Sequence, residues 1–526
     1  MTSILKYLNR ALLVLLLAAF AACSDNEGGN ESNGNGDDGN TETPADGDTY
    51  GYIKDTNGNP VEGVVVSDGY SCTVTDAEGR YALTRNADAG FVFYSLPSAY
   101  KVSVDKTYKL PRFFARLQAG TARYDFTLEA LAAPEKRFDL ICIGDPQINE
   151  ASHAVRFKEE AGREIREYAA SAGVPCYGIT LGDHVNNKWT LFTNMVVALQ
   201  PEQTGVPVFA TIGNHYHEFP TADEKAARAK YESYFGPVDY SFNRGDVHVV
   251  SMDNVIHNCK ASADYEGGFT AAQYEWLKQD LSFVPKDKMV ILCVHIPFRG
   301  GWGTNSAHAD ADKYYDEVLD LLSQYEYAAI MSAHTHSNIN YIHRKNGKEI
   351  FEHVTGTTCG AWWRSTVCTE GTPIGFGLYR IDGNLMEEWA YRSVRHDEQF
   401  QIRLYRASDT FVGGAKYRFK QTGADQIVAN IWNWDPSWTV NVYENDVLSG
   451  QMTRNSDIDA WTVAYHIGLL NNTDSYRKSS DHMFHYTLKN PAAAVRVEAI
   501  DRFGNKYEQT VFTDPAEHPG DFHADF

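Results

Sequence analysis

Arg137-Phe138-Asp139-Leu140-Ile141-Cys142-Ile143-Gly144-Asp145-Pro146-Gln147 is the stretch that decides how this chain folds. Residues 139–144 are an apolar run of strand length, and a carboxylate and an amide follow at once. In residues 151–171, Phe157, Ala161, Ile165 and Tyr168 recur at helical spacing, which predicts one buried helical face. A second apolar run, 176–181, ends in Gly182-Asp183-His184. Strand, helix and strand in succession form a β-α-β unit, whose natural solution is a layered α/β domain.

The same arrangement continues outward. Apolar runs at 206–212, 289–294 and 327–332 predict three more strands. The first is followed by Gly213-Asn214-His215-Tyr216, the second runs into His295-Ile296-Pro297, and the third precedes Ala333-His334-Thr335-His336. In an α/β sheet the carboxyl ends of the strands share one edge, so these groups should meet in one crevice. A lone His153, His353 or His466 reads as a surface or hydrogen-bonded residue, and His184 and His217 read mainly as structural. Asp, Asn and His at five strand ends do not arise from packing alone. Mixed carboxylate, amide and imidazole donors suit Mn, Fe or Zn better than Ca.

In this order the motifs resemble those of the calcineurin-like metallophosphoesterases, D-x-H, G-D-x, G-N-H-[D/E], H and G-H-x-H. The resemblance covers residues 137–395 and implies an αββα layered domain with two metal ions. It implies that Asp145, Gln147, Asp183 and His336 hold the first ion, and Asp183, Asn214, His295 and His334 the second, with Asp183 bridging. A shared carboxylate holds two ions roughly 3.5–4 Å apart, and a hydroxide bridging them attacks phosphorus in line. His215 would lie over the substrate as a general acid. Arg299 is either a donor to phosphate oxygens or a solvated arginine. Four positions depart from the pattern. Gln147 replaces His, and Asn186-Asn187 stands where most members place an Asp that supports the catalytic His. An Asn orients an imidazole but does not stabilise its cation. Tyr216 and Ala333 are expected to be packing variations. Past the last motif, Trp362 and Trp363 either stack on a flat substrate group, as Asn186 would also contact substrate, or fill the interface with the next domain.

Both flanks are β-rich. Residues 49–131 carry turn-punctuated short strands in a pattern that resembles the carboxypeptidase-regulatory-like β-sandwich, and 132–136 read as a linker. Residues 400–526, with Trp432, Trp434, Trp438 and Trp461, predict a second small all-β sandwich. Such flanking domains resemble those of a secreted subgroup of the same family.

Composition bounds the function. With 47 basic and 69 acidic residues the formal charge is −22, a field that disfavours nucleic acid as a partner. Lys6 and Arg10 precede an apolar run at 11–20, too short to span a bilayer. Phe20-Ala21-Ala22-Cys23 then resembles a lipobox, so 1–22 is expected to be a lipoprotein signal peptide and Cys23 its lipidation site. Residues 23–48 have almost no apolar side chains and read as a disordered tether. The expected location is the periplasm or cell surface, anchored to the outer membrane. Cys142 and Cys293 read as buried small hydrophobes, while Cys359 and Cys368 are candidates for a disulfide. The expected function is hydrolysis of a small phosphate mono- or diester outside the cytoplasm. The alternative is a catalytically weak protein of the same fold that binds a phosphorylated glycan or other phosphorylated ligand.

Overall fold

The computed structural model describes residues 47–261, 265–299, 313–407, 423, 425–472 and 478–510. The signal segment 1–22, Cys23, the tether up to residue 46, Gly300-Gly301 and residues 511–526 lie outside the described residues.

The strand Arg137–Ile143 has both faces covered. Its Leu140 and Cys142 share a core with Val249 and Leu292 of a second sheet. Its Ile141 and Ile143 pack with Phe157 and Ile165 of the following helical run. Alternate side chains therefore serve two apolar layers, which is why the run lacks polar alternation. The first sheet orders the strands Val208–Thr211, Cys176–Leu181, Arg137–Ile143, Gly375–Asp382 and Leu385–Ser393. The first three are parallel, and Gly375–Asp382 pairs antiparallel with both Arg137–Ile143 and Leu385–Ser393. The second sheet orders Tyr240–Arg244, Val247–Ser251, Met289–Cys293, Tyr327–Ser332, Lys348–Val354 and Ile339–Lys345. Trp276, Leu277, Val318 and Leu322, from the helices Ala271–Ser282 and Tyr315–Leu322, join the core of this second sheet. The result is the αββα layering.

The helical run at 151–171 is interrupted. Ala151–Phe157 and Arg163–Ser171 are joined by a wide π turn at Lys158–Gly162. Phe157, Ala161, Ile165 and Tyr168 are nevertheless all buried.

The N-terminal domain pairs a three-stranded sheet built on Thr49–Asp55 with a four-stranded sheet built on Val65–Ser67 and Phe91–Tyr94. It docks on the second sheet, where Ser241 Oγ donates to Ser95 Oγ at 2.9 Å, and on the helix Ala271–Ser282, where the Trp276 indole donates to Ser67 Oγ at 3.0 Å. The C-terminal domain stacks two four-stranded sheets, and Leu404, Ile427, Val440 and Val497 pack in one core. Trp432 and Trp461 are buried, with the Arg403 guanidinium 5.6 Å and 3.7 Å from their ring centroids. This domain is fastened to residues 355–374. Ser365 Oγ meets His466 Nε2 at 2.8 Å, and Arg403 Nη1 donates to the Gly371 carbonyl at 2.7 Å.

The disulfide expectation is corrected. Cys359 and Cys368 are both free thiols, buried, each with its sulfur against the Thr357 hydroxyl. Cys142 and Cys293 are fully buried, as their apolar surroundings require.

Candidate metal centre

The five strand ends meet, but not along one edge. Three belong to the first sheet and two to the second, so the crevice lies where the carboxyl ends of two facing sheets converge. A one-sheet expectation misses this because periodicity does not report which sheet a strand joins.

Asp183, His295 and His334 bring ligand atoms within 4.8 Å of one another. His295 Nδ1 donates to the Leu181 carbonyl at 2.7 Å, which turns its Nε2 inward. That Nε2 lies 2.9 Å from Asn214 Oδ1, 3.0 Å from His334 Nδ1 and 3.3 Å from Asp183 Oδ2. Asp145 Oδ2 accepts from the His334 backbone N–H at 3.0 Å, and its Oδ1 is 3.6 Å from His336 Nε2. Gln147 is set beside Asp183 by a backbone hydrogen bond of 2.7 Å from its N–H to the Asp183 carbonyl.

Two glycines make this approach possible. A Cβ at Gly213 would lie 2.3 Å from Asp183 Oδ1, and one at Gly182 would lie 2.2 Å from His295 Nδ1. The glycines of both motifs are thus steric requirements. Asp145, Gln147, Asp183, His334 and His336 all have φ between 34° and 63°, and strain of this kind clusters where geometry is over-determined by function.

Burial pushes the Asp145 carboxyl up to about 8, against the attraction of His295 and with help from the Asp183 charge. Burial also opposes ionisation of Asp183, but His295 and His215 hold it well below the usual carboxylate range. Burial disfavours the His295 cation, yet Asp183 raises it to about 9. His336 is pushed down to about 3 by burial, with Lys478 adding to the effect.

A cation fits this donor set. Among the described residues, Asp145 Oδ1, Gln147 Oε1 and His336 Nδ1 are buried without a hydrogen-bond partner, and a buried polar atom left unpaired costs about 1–3 kcal/mol. The Gln147 amide nitrogen meets Asp183 Oδ2 at 3.2 Å, and exchanging its N and O would turn the oxygen to the same point. The protons that His295 and Asp145 retain above their ordinary values are what a bound cation would displace.

His215 sits above this cluster. Its backbone N–H donates to Asp183 Oδ1 at 3.0 Å, and its Nε2 is 3.8 Å from Asp183 Oδ2. Its Nδ1 faces Asn187 Oδ1 at 2.8 Å, so Asn187 and not Asn186 orients the ring. Burial lowers the His215 pKa, against the pull of Asp183. Asn186 lines the cleft with His215, in a cavity of about 280 Å³.

The remaining expected residues divide. Trp362 lines the cleft and lies on His336, 4.8 Å between centroids. Trp363 is buried in the central domain, where its indole donates to the Pro146 carbonyl at 2.8 Å and its ring stacks on His153. It therefore supports the Asp145 loop and does not face a substrate. Arg299 is exposed, with its guanidinium 5.5 Å from the Tyr341 ring centroid, and it is not part of the cleft lining. Its place on the second sheet's rim was beyond what its neighbours in sequence could indicate. Tyr216 is buried, and its hydroxyl accepts from the His184 N–H at 2.8 Å. His217 is buried 3.4 Å from Asp253, and His184 meets Thr180 Oγ1 at 2.6 Å.

Two cleft residues had no motif to reveal them. The Tyr265 hydroxyl stands 3.3 Å from His334 Nε2, and Lys478 reaches the cleft from the C-terminal domain. Their places are set by docking of distant segments.

Residues 48–131, 124–338 and 352–507 match, in turn, the N terminal of Calcineurin-like phosphoesterase, the Calcineurin-like phosphoesterase and the C terminal of Calcineurin-like phosphoesterase. Together these matches take in most of the chain, which belongs to the calcineurin-like phosphoesterase family. The C-terminal match begins inside the central domain, since Gly375–Asp382 and Leu385–Ser393 complete its first sheet. Purple acid phosphatase 23 of Arabidopsis thaliana is 26% identical over 181 residues, 31% of this chain and 36% of that protein. Purple acid phosphatase 18 of the same plant is 26% identical over 182 residues, 32% of this chain and 38% of that protein. The chain thus spans little more than a third of the length of these curated relatives. Among solved structures, a purple acid phosphatase from yellow lupin (Lupinus luteus) seeds aligns at 14% identity with TM-score 0.33, over 50% of this chain and 53% of that one.

Proposed function

We propose that this protein hydrolyses a small phosphate ester with the help of two divalent metal ions. The observation that carries the reading is the convergence of buried Asp183 and His295 with half-buried His334, and with His215 against the same carboxylate. Asp145, Gln147, Asp183 and His336 would hold one ion, and Asp183, Asn214, His295 and His334 the other. Bound there, the ions supply Lewis-acid charge and a water acidified towards neutral pH. The protein's own part is orientation and proton transfer. The Asn187 carbonyl fixes Nδ1–H of His215 and leaves Nε2 toward the cleft, where in the imidazolium form it carries the proton passed to the leaving oxygen.

Initial rates on a nitrophenyl phosphomonoester and the matching diester, with Mn, with Zn and without added metal, test this reading beside Asp183→Asn. Metal-dependent turnover that the variant lacks supports it. Bound metal without turnover on either ester favours the second reading, capture of a phosphorylated ligand. The observation behind that reading is Asn187, which orients His215 but supplies no carboxylate to stabilise its cation.

We also propose export and lipid anchoring at Cys23 to the outer membrane. The basic residues, the apolar run at 11–20 and the small residues before Cys23 support it. Palmitate labelling that persists in Cys23→Ser would refute it.

A further inference from the structure

One wall of the cleft comes from a different domain. Lys478 lines it together with Trp362, His336 and His215, and its ammonium is 5.8 Å from the Trp362 ring centroid. Among the described lining residues it is the sole Lys or Arg, in a chain whose formal charge is −22.

The strand that follows it is fixed by buried contacts that lead back to the metal motif. Lys478 immediately precedes the strand Ser479–Thr487, whose His482 meets Asn430 Oδ1 at 2.7 Å through Nδ1. His482 Nε2 lies 3.7 Å from Glu370 Oε1. Glu370 in turn accepts from the backbone N–H of Asn338 at 3.0 Å, two residues beyond His336. The register of this strand is therefore tied to the loop that holds His334 and His336. A lysine at the head of so ordered a strand keeps its charge at the cleft wall beside Trp362. A loosely attached domain would not hold one there.

We propose that Lys478 is a substrate-binding residue that pairs with the second negative charge of a phosphomonoester, so that the two-domain cleft selects monoesters over diesters. The inference rests on the phosphoesterase reading above. A monoester carries close to two charges near neutral pH because its second pKa is about 6, whereas a diester carries one. An ammonium is a compact point charge suited to a phosphate oxygen.

The test uses the full Mn-loaded protein, with Lys478→Met, Lys478→Gln and Lys478→Arg. Kinetics on the nitrophenyl monoester and diester are read beside calorimetric binding of inorganic phosphate. Removing the charge should raise the monoester KM and the phosphate Kd by about tenfold to a hundredfold, the worth of a hydrogen bond to a charged group. The monoester KM should rise several-fold more than the diester KM, with a smaller effect on kcat, and Lys478→Arg should recover most of the loss. Unchanged KM and Kd in both neutral variants overturns the proposal, and so does an equal rise for monoester and diester. Two variants guard against a folding defect in one, and melting temperatures identify it. If the wild type turns over no ester but loses phosphate affinity in Lys478→Met, hydrolysis fails and the Lys478 contact stands. If turnover is metal-dependent and Lys478→Met changes nothing, the contact alone fails.

Discussion

Two buried carboxylates in this molecule have opposite surroundings. Asp459, in the C-terminal domain, accepts from the Trp461 N–H and the Tyr405 hydroxyl through Oδ1, each at 3.0 Å. Its Oδ2 accepts from Asn430 at 2.9 Å and Thr462 at 2.8 Å, with Arg403 at 3.5 Å. Asp145 is equally buried, yet Oδ2 has one backbone donor and Oδ1 has none. The backbone is strained at Asp145 and relaxed at Asp459. Burial alone therefore does not mark a functional carboxylate. What marks it is lone pairs that the protein itself leaves unfilled, on a backbone held away from its preferred conformation.

The sharpest way to break this contrast is to neutralise one member of each cluster. Asp183→Asn should remove metal-dependent turnover by on the order of 10³, as the loss of several kcal/mol of charge stabilisation requires, with bound metal falling in elemental analysis. Asp459→Ala should leave metal content unchanged but destabilise the fold by about 3–5 kcal/mol, since it removes the carboxylate beside the buried Arg403 cation, which denaturant titration measures. If Asp459→Ala empties the metal site, or if Asp183→Asn only unfolds the chain, the distinction between the two carboxylates collapses.

His215→Ala should lower kcat by about 10², the lower end of general-acid contributions, without loss of bound metal. Asn187→Ala should give a smaller loss in kcat than removing the ring, because it disorders the imidazole without deleting it.

Much of the contrast was legible in the sequence, and the reason is physical. Strands at Cys176–Leu181 and Tyr327–Ser332 coincide with apolar runs because both of their faces are covered. Their polar successors could be read as one set because a donor at a strand end has little else to do. The strands Gly375–Asp382 and Leu385–Ser393 were not legible, since polar residues interrupt them and no motif follows. Trp362 and Trp363 are adjacent in sequence and both have positive φ, yet one faces the cleft and the other the core. Composition cannot separate such a pair. Asn186 and Asn187 pose the same difficulty.

The pair His217 and Asp253 offers a pH test away from the metal donors. Burial opposes the His217 cation, but Asp253 raises it above its ordinary value. Burial likewise opposes ionisation of Asp253, yet His217 lowers it below its own ordinary value. The Asp253 contribution is present above its unfolded pKa and disappears as pH falls through its lowered value. The His217 contribution is present below its unfolded pKa and disappears as pH rises through its raised value. Thermal melts of His217→Asn against wild type should differ most between about pH 4 and 6.5, and the difference should shrink at higher pH. A gap that does not vary with pH would mean that the ion pair adds nothing.

The smallest effect is expected at Trp363→Phe, which removes the indole donor from the Pro146 carbonyl. Losing a support of this kind typically costs about tenfold in metal affinity, read by competition with a chelator.

The strand Gly375–Asp382 lies between Arg137–Ile143 and Leu385–Ser393 in the first sheet. A polypeptide made from its N-terminus exposes one edge of Arg137–Ile143 until that late segment has been synthesised. His334 and His336 also arrive long after Asp145 and Asp183. Assembly of the centre is thereby deferred to the closing stage of translation, and a chain released early would keep the two aspartates beside an open, adhesive sheet edge.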